Sequence, residues 1–531
     1  MEIKGYSYDK IRQLSKRDIA YQVNTDVFSE FLQYMPEIET FEKAIADRQK
    51  FPVDRALLHQ VISDAYNETT LSDLQEQNLE ALLSEQTYTV ITAHQPSLLT
   101  GPLYFIFKIF SVINLAEKLN EKYKEQHIVP VFVIGGEDHD FEEINHLEIF
   151  NNKIEWKHAH TDEPVGRLNL EGIPEVLSHV KEILGEKSKA YGLVQKWEKL
   201  LANADTYSLF TFHLVNDLFK AYGVLVVAMD KQALKEKFRD IIQREILHSE
   251  SKDIVEKAQL AIEAKSFKSQ TYIREINFFY FHKGMRKRIQ QEGDNYRIVD
   301  TDQVFTAEEM KSEIDTAPEK FSPNVIMRPL FQETIFPNLA YVGGGGELAY
   351  WLERKEQFAH FNVFFPVLMR RNSAQLIDKK SMEQVRSLGL SDEAFLGELH
   401  ETTTTFLKKD SEVAFELTDE KEKLQTFYNA LAKKVSAIDP TLEGRIQAES
   451  TKATKSMEGL ESRLKKKIKE SSEADIRKIE KVYKTLFPSD SLQERKTNFL
   501  EFYSRYGKDF MAVLKDNLDP FNKDFLSIVM E

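Results

Sequence analysis

A chain of 531 residues, 42% of them hydrophobic, carries more apolar surface than one compact core takes up, so a large α/β domain with an appended element is expected. A formal net charge of −15 repels a phosphate backbone, which makes small molecules rather than nucleic acid the expected partners. The absence of cysteine excludes disulfides, thiolate metal sites and a cysteine nucleophile.

In chain order, the polar opening MEIKGYSYDKIRQLSKRD has no apolar core of the secretory kind, so a cytoplasmic location is expected. Thr87–Thr92 (TYTVIT) is the first near-continuous apolar run, as expected of a strand covered on both faces. The loop that follows, Thr92 to Pro102, holds His94, Gln95, Thr100 and Gly101 before a proline-started helix, whose free N–H groups suit a phosphate or carboxylate. Its apolar stretch Pro102–Ala116 is broken by Lys108 and falls short of the roughly 18 residues of a membrane span.

Val129–Ile134 (VPVFVI) reads as the second strand. After it stand Gly135, Gly136, Glu137, Asp138, His139 and Asp140, with Asn145 and His146 close behind. Two glycines let the chain turn tightly, and the ionisable groups suit holding an ammonium, orienting Mg²⁺ through water, or serving as a general base. The spacing of His139 and His146 is not that of a zinc site, so no metal ligand set is expected. The alternative is an acidic helix start favoured by the helix dipole.

Val224–Met229 (VLVVAM), ending at Asp230, Asn338–Val342 (NLAYV) and Val363–Met369 (VFFPVLM) complete five strands of a doubly wound parallel sheet. The stretches 151–205 and 231–325 exceed a crossover helix and read as insertions. Before the fourth strand lie Asn324 and Arg328, the latter either a buried ion-pair partner or an anion clamp. Tyr341, Gly343, Gly344 and Glu347 follow, in a glycine run between strand and helix that suits an anion. It is neither a Walker loop nor a dinucleotide fingerprint. Arg370 and Arg371 close the fifth strand.

From about residue 380 the text becomes helical. Leu424, Phe427, Leu431, Val435 and Ile438 form one stripe, Asp439-Pro440 a turn, and Ile446, Ala453, Met457, Leu460, Leu464 and Ile468 a second stripe, predicting an antiparallel coiled-coil hairpin. The expected division is a core over 1–380, an arm over 381–490 that mediates homodimerisation, and a helical segment over 491–531 docked on arm or core.

Six separated motifs resemble the BshC family of cysteine ligases in bacillithiol biosynthesis. They are Gln95 with Leu98–Tyr104, Gly136–Phe141 with Asn145-His146, Pro164–Arg167, Ser322–Val325 with Arg328-Pro329, Leu339–Gly344 with Glu347 and Ala349–Trp351, and Leu492–Arg495. The resemblance covers essentially the whole chain. It implies a Rossmann-like core with connecting-peptide insertions, a coiled-coil dimer arm, and a carbon–nitrogen ligase joining cysteine to glucosaminyl-malate. Such an amide bond needs an activated carboxylate, which points to ATP, with Mg²⁺ as its companion, and to an adenylate or acyl phosphate. In this reading Glu137, Asp138, His139 and Asp140 are catalytic. His94, Gln95, Thr100, Gly101, Asn145, His146, Asn324, Arg328, Tyr341, Gly343, Gly344 and Glu347 bind substrate or nucleotide. Relatives often carry Gln at His94 and a non-glycine residue at Gly345, which ranks His94 as a binding residue. The alternatives are another ATP-using nucleotidyl or acyl transferase, and a coiled-coil assembly protein without catalysis.

Overall fold

The computed structural model describes residues 1–410 and 416–531; of the expected arm, 411–415 lie outside the described residues. The five apolar runs form one parallel sheet: β1 (Thr87–His94), β2 (His127–Ile134), β3 (Leu225–Ala228), β4 (Asn338–Gly343) and β5 (Val367–Arg370). Their order across the sheet is β5-β4-β1-β2-β3, the Rossmann order 3-2-1-4-5 read from the other edge. The fifth strand starts later than the sequence predicts. Pro366 lacks the N–H that a ladder needs, and pairing begins only at Val367.

The sheet is covered on both faces, as its composition requires. Along β1, Tyr88 and Val90 join one buried cluster while Ile91 and Ala93 join another, the alternation that a two-residue period imposes. Helix α1 (Tyr104–Lys122) links β1 to β2 and is buried almost along its length. The stretch 151–205 contains helices Ile173–Leu184 and Lys189–Leu201. The stretch 231–325 contains α2 (Gln232–His248) and a second, antiparallel sheet built from Phe278–His282, Met285–Glu292, Asn295–Ile298, Val304–Thr306 and Phe321–Pro323. Two short helices, α3 (Arg328–Ile335) and α4 (Gly345–Trp351), flank β4.

Beyond β5 the chain builds a base and an arm. Helices α5 (Thr418–Ser436) and α6 (Glu443–Ser471) pack as a hairpin around the Asp439-Pro440 turn, and α7 (Glu473–Leu486) returns to the base. The seam differs from the predicted stripes by one step. Phe427, Ile438 and Leu460 are 61%, 84% and 55% exposed, while Tyr428 and Glu461 take the inner positions. Glu461 is held there by Lys421 and Lys465, each at 2.7 Å, so an ion-pair bridge replaces the predicted leucine.

The last segment is not all helix. Phe525–Met530 is a fully buried strand, antiparallel to Glu2–Tyr6 and parallel to Ala374–Asp378. The segment docks on the core: Asn114 Nδ2 donates to the Lys515 and Leu518 carbonyls at 2.8 and 2.7 Å.

Candidate active site at the carboxyl ends of the sheet

In this strand order the chain leaves β1 and β4 in opposite directions, and a crevice opens above their carboxyl ends. Its volume is about 450 Å³, and segments around His94, Asp138 and Gly344 all line it.

The β1 wall is set by α1. Lys108, with no exposed surface, donates to the Ala93 carbonyl at 2.5 Å and reaches Glu347 at 2.8 Å. Glu347 also accepts from the Gly344 N–H at 2.9 Å and from the Tyr341 hydroxyl at 2.6 Å. Burial alone would raise its carboxyl pKa, but Lys108 and these donors hold it down at about 2, so a carboxylate is fixed at the crevice floor. His94 Nε2 lies 3.1 Å from the Tyr104 hydroxyl. Burial, with Lys108 nearby, depresses its imidazole to about 4, so it is neutral near pH 7.

The β2 wall is clamped to the Pro164–Arg167 motif. The Gly166 N–H donates to the Gly136 carbonyl at 2.8 Å and the Val165 N–H to that of Asp138 at 2.7 Å. A Cβ on Gly136 would stand 2.5 Å from Ser208 Oγ and 3.1 Å from Gly166 Cα, which explains a glycine there. Glu137 pairs with the fully buried Lys235 of α2. Burial and nearby Asp230 push the Glu137 carboxyl up against the pull of that lysine. Asp138 accepts from Gln95 Nε2 at 2.8 Å and from Arg286 at 3.2 Å. Asp230 is gripped by Arg167 Nε and Nη2, at 2.7 and 2.9 Å.

The remaining predicted residues are spread around the crevice. Asn324 and Arg328 line the crevice with Glu347 and Gly344. His139 and Asp140 do not: the His139 ring packs on Phe279 beside Arg286, and Asp140 caps the short helix Phe141–Ile144 through the Glu143 N–H. Tyr341 and Gly343 lie behind the wall. Thr100 and Gly101 form a left-handed turn beneath it, with φ of 73° and 61°, and the Leu99 and Gly101 carbonyls accept from Asn498 at 3.1 and 2.6 Å. Asn145 is buried against His146, and His146 faces a smaller neighbouring cavity. Of the N–H groups expected to be free after this loop, that of Leu103 donates to the Thr497 carbonyl at 2.9 Å and that of Phe105 to the Pro102 carbonyl at 3.0 Å.

Four arginines border the crevice: Arg286, Arg328, Arg371 and Arg495. Arg286 is tied to Asp138 and Arg371 to Glu494 at 2.7 Å. Arg328 meets the Tyr350 hydroxyl at 2.6 Å, and among the described residues neither it nor Arg495 has a carboxylate partner, which decides against a buried ion pair for Arg328. Arg371 Nε is buried without a hydrogen bond, 3.6 Å from where a side chain on Gly344 would begin. At Gly346 a Cβ would meet no protein atom, so the backbone there is open to close approach by a ligand. This donor set fits an anion such as a nucleotide phosphate. For Mg²⁺ the fit is poor: Glu137, Asp138, Asp230 and Glu347 are engaged by cations, and among the described residues no group of three or more His, Asp or Glu is placed to hold a metal.

Residues 1–372 match the family model described as bacillithiol biosynthesis BshC, N-terminal Rossmann-like domain, and residues 374–530 match the model of its C-terminal coiled-coil domain. The chain belongs to the BshC family. Relatives named "Putative cysteine ligase BshC" include one from Christiangramia forsetii, 37% identical over 526 residues (98% of this chain and 97% of the relative). Another, from Flavobacterium johnsoniae, is 37% identical over 494 residues, 93% of each chain. A relative from Bacillus cytotoxicus is 28% identical over 451 residues, 82% of this chain and 83% of its own. Among the described residues of this BshC-family chain, no helix is long and apolar enough to cross a membrane. Sequence reasoning missed Lys108, Lys235, Arg286 and Arg495 as site residues. Two of them left a signal: Lys108 is a lone cation inside an apolar stretch, and Arg495 ends the Leu492–Arg495 motif.

Proposed function

We propose that this chain is a carbon–nitrogen ligase that joins cysteine to the amine of glucosaminyl-malate, using ATP, and that the crevice above β1 and β4 is its active site. The observation that carries the reading is the ring of arginines at the switch point, where, among the described residues, Arg328 and Arg495 lack carboxylate partners and Arg371 Nε lacks an acceptor. Such donors, held in place before a ligand arrives, stabilise charge that develops during acyl transfer.

ATP supplies the group that activates the cysteine carboxylate. Arg328 and Arg371 neutralise the anionic oxygens, and the open backbone at Gly346 lets phosphate approach closely. The attacking sugar amine must lose a proton as the amide bond forms. In this reading Glu137 accepts it, because it lines the crevice and burial raises its carboxyl pKa toward the working pH. Asp138, held by Gln95 and Arg286, orients the amine. His94 is a neutral hydrogen-bonding wall. His139 and Asp140 act through the loop, one packed against Arg286 and the other capping the next turn. Self-association through the arm belongs to the same reading, supported by Phe427, Ile438 and Leu460 exposed on the hairpin.

The deciding experiment incubates the purified chain with cysteine, glucosaminyl-malate and ATP, following the amide product by mass spectrometry and the nucleotide by phosphorus NMR. ATP-dependent product, with AMP or ADP in equal amount, is expected, and Glu137→Gln abolishes it. Nucleotide turnover without amide, but with transfer to other amines, favours a different acyl or nucleotidyl transferase. Absence of both reactions overturns the proposal.

A further inference from the structure

A second cavity of about 130 Å³ lies on the far side of the His94–Tyr104 pair. His94, Tyr104, Glu143 and Arg495 border both spaces, while Ser97, His146, Glu148 and Lys496 line only the smaller one. Its volume holds roughly four waters, room for an amino acid with a short side chain and too little for a nucleotide or an amino sugar. Its walls are stitched together by backbone: the Asn498 N–H donates to the Glu148 carbonyl at 2.8 Å, and the Leu103 N–H to that of Thr497 at 2.9 Å.

The charges in this cavity are unusual. Two acids, Glu143 and Glu148, and two cations, Arg495 and Lys496, line it together, yet among the described residues none of the four forms an ion pair. Glu143 and Arg495 both line the wall shared with the crevice, together with Tyr104. His146 engages Asn145 through Nδ1 at 3.1 Å, and among the described residues its Nε2 has no hydrogen-bond partner. Opposite charges that line one small space without pairing match the two ends of a zwitterion, each end being worth a charge-assisted hydrogen bond.

We propose that this cavity is the amino-acid subsite of the ligase. The carboxylate of a small α-amino acid lies against Arg495 and Lys496 and its ammonium against Glu143 and Glu148. Its side chain rests beside Ser97 and His146. The carboxyl group then sits at the wall shared with the crevice, where the activating and accepting substrates arrive. The subsite rests on the ligase reading, and its test separates the two.

The full chain is titrated calorimetrically with L-cysteine and with cysteamine, which lacks the carboxylate, and ATP affinity is measured in parallel. Glu148→Gln and Lys496→Gln line only the small cavity; each is expected to weaken cysteine binding about tenfold and to leave ATP binding unchanged, with circular dichroism confirming the fold. Arg495→Gln is expected to weaken cysteine but not cysteamine. Cysteine affinity within about twofold of the parent in all three variants overturns the subsite, even if amide synthesis is confirmed, as does a parent chain that binds no cysteine. Selective loss of cysteine binding in a protein that makes no amide leaves the subsite standing and removes the ligase reading.

Discussion

Lys108 and Glu347 meet at 2.8 Å across the switch point, one on the helix after β1 and the other on the helix after β4. The lysine has no exposed surface and the glutamate a quarter of its own, so each charge depends on the other for solvation. Lys108→Met leaves a largely buried carboxylate unpaired and is expected to cost about 3–5 kcal/mol of unfolding free energy. Urea denaturation measures this. Adding Glu347→Leu should recover part of the loss, because it removes the stranded charge. Equal stability in the double and single variants would show that the pair does not act as a unit.

The neutral state of His94 makes stability depend on pH with a definite sign. Its imidazole is lowered from 6.5 to about 4 by burial and by Lys108, so the unfolded chain takes up this proton before the folded one does. The contribution is complete above about pH 6.5 and is lost as pH falls toward about 4. His94→Gln is expected to flatten that part of the acid dependence. Urea midpoints at about pH 7.5 and pH 5, compared between parent and variant, read the difference; an equal drop in both would place the acid sensitivity elsewhere.

Gly345 stands over the buried pair of Asp18 and Arg370. A Cβ there would lie 2.3–2.5 Å from the carboxyl atoms of Asp18, which hold Arg370 at 2.7 and 3.0 Å and are 3% exposed. Gly345→Ala is therefore expected to cost about 1–3 kcal/mol through overpacking, and thermal unfolding will detect it. Gly346→Ala, whose Cβ meets no protein atom, should leave the melting temperature unchanged but obstruct ligand approach. A neutral Gly345→Ala would show that Asp18 moves aside freely.

Arg328 meets the Tyr350 hydroxyl at 2.6 Å and, among the described residues, has no carboxylate partner. Arg328→Gln should leave the fold intact and weaken ATP binding about tenfold, the loss expected for one charge-assisted contact. Calorimetric titration with ATP measures it, and unchanged affinity would move the phosphates away from this arginine.

The five strands were legible because each is an apolar run bounded by polar turns, and a strand buried on both faces has to be written that way. The strand Phe525–Met530 was equally apolar but was read as part of a helical tail, because its neighbours at 500–517 are helical and its pairing partners lie more than a hundred residues away in sequence. In the arm the helices and the turn were legible and the seam was not. Leu460 and Glu461 are adjacent in sequence, and hydrophobicity favoured the wrong one; lysines on both helices hold the glutamate inside.

For the candidate site, the sequence marked the loops that line the crevice, since glycines, acids and a histidine at the ends of apolar runs are costly unless something uses them. It did not determine their partners. Lys235 and Arg286 come from the long insertion, and Arg495 from near the end of the chain; their spacing from Glu137, Asp138 and His94 follows from how distant segments fold over the sheet. Tertiary structure alone decided which charges are paired, which stand free, and that the crevice has a small side chamber. Pairing depends on distances of a few ångströms between residues hundreds of positions apart, and hydrophobic periodicity records only which face of an element is buried.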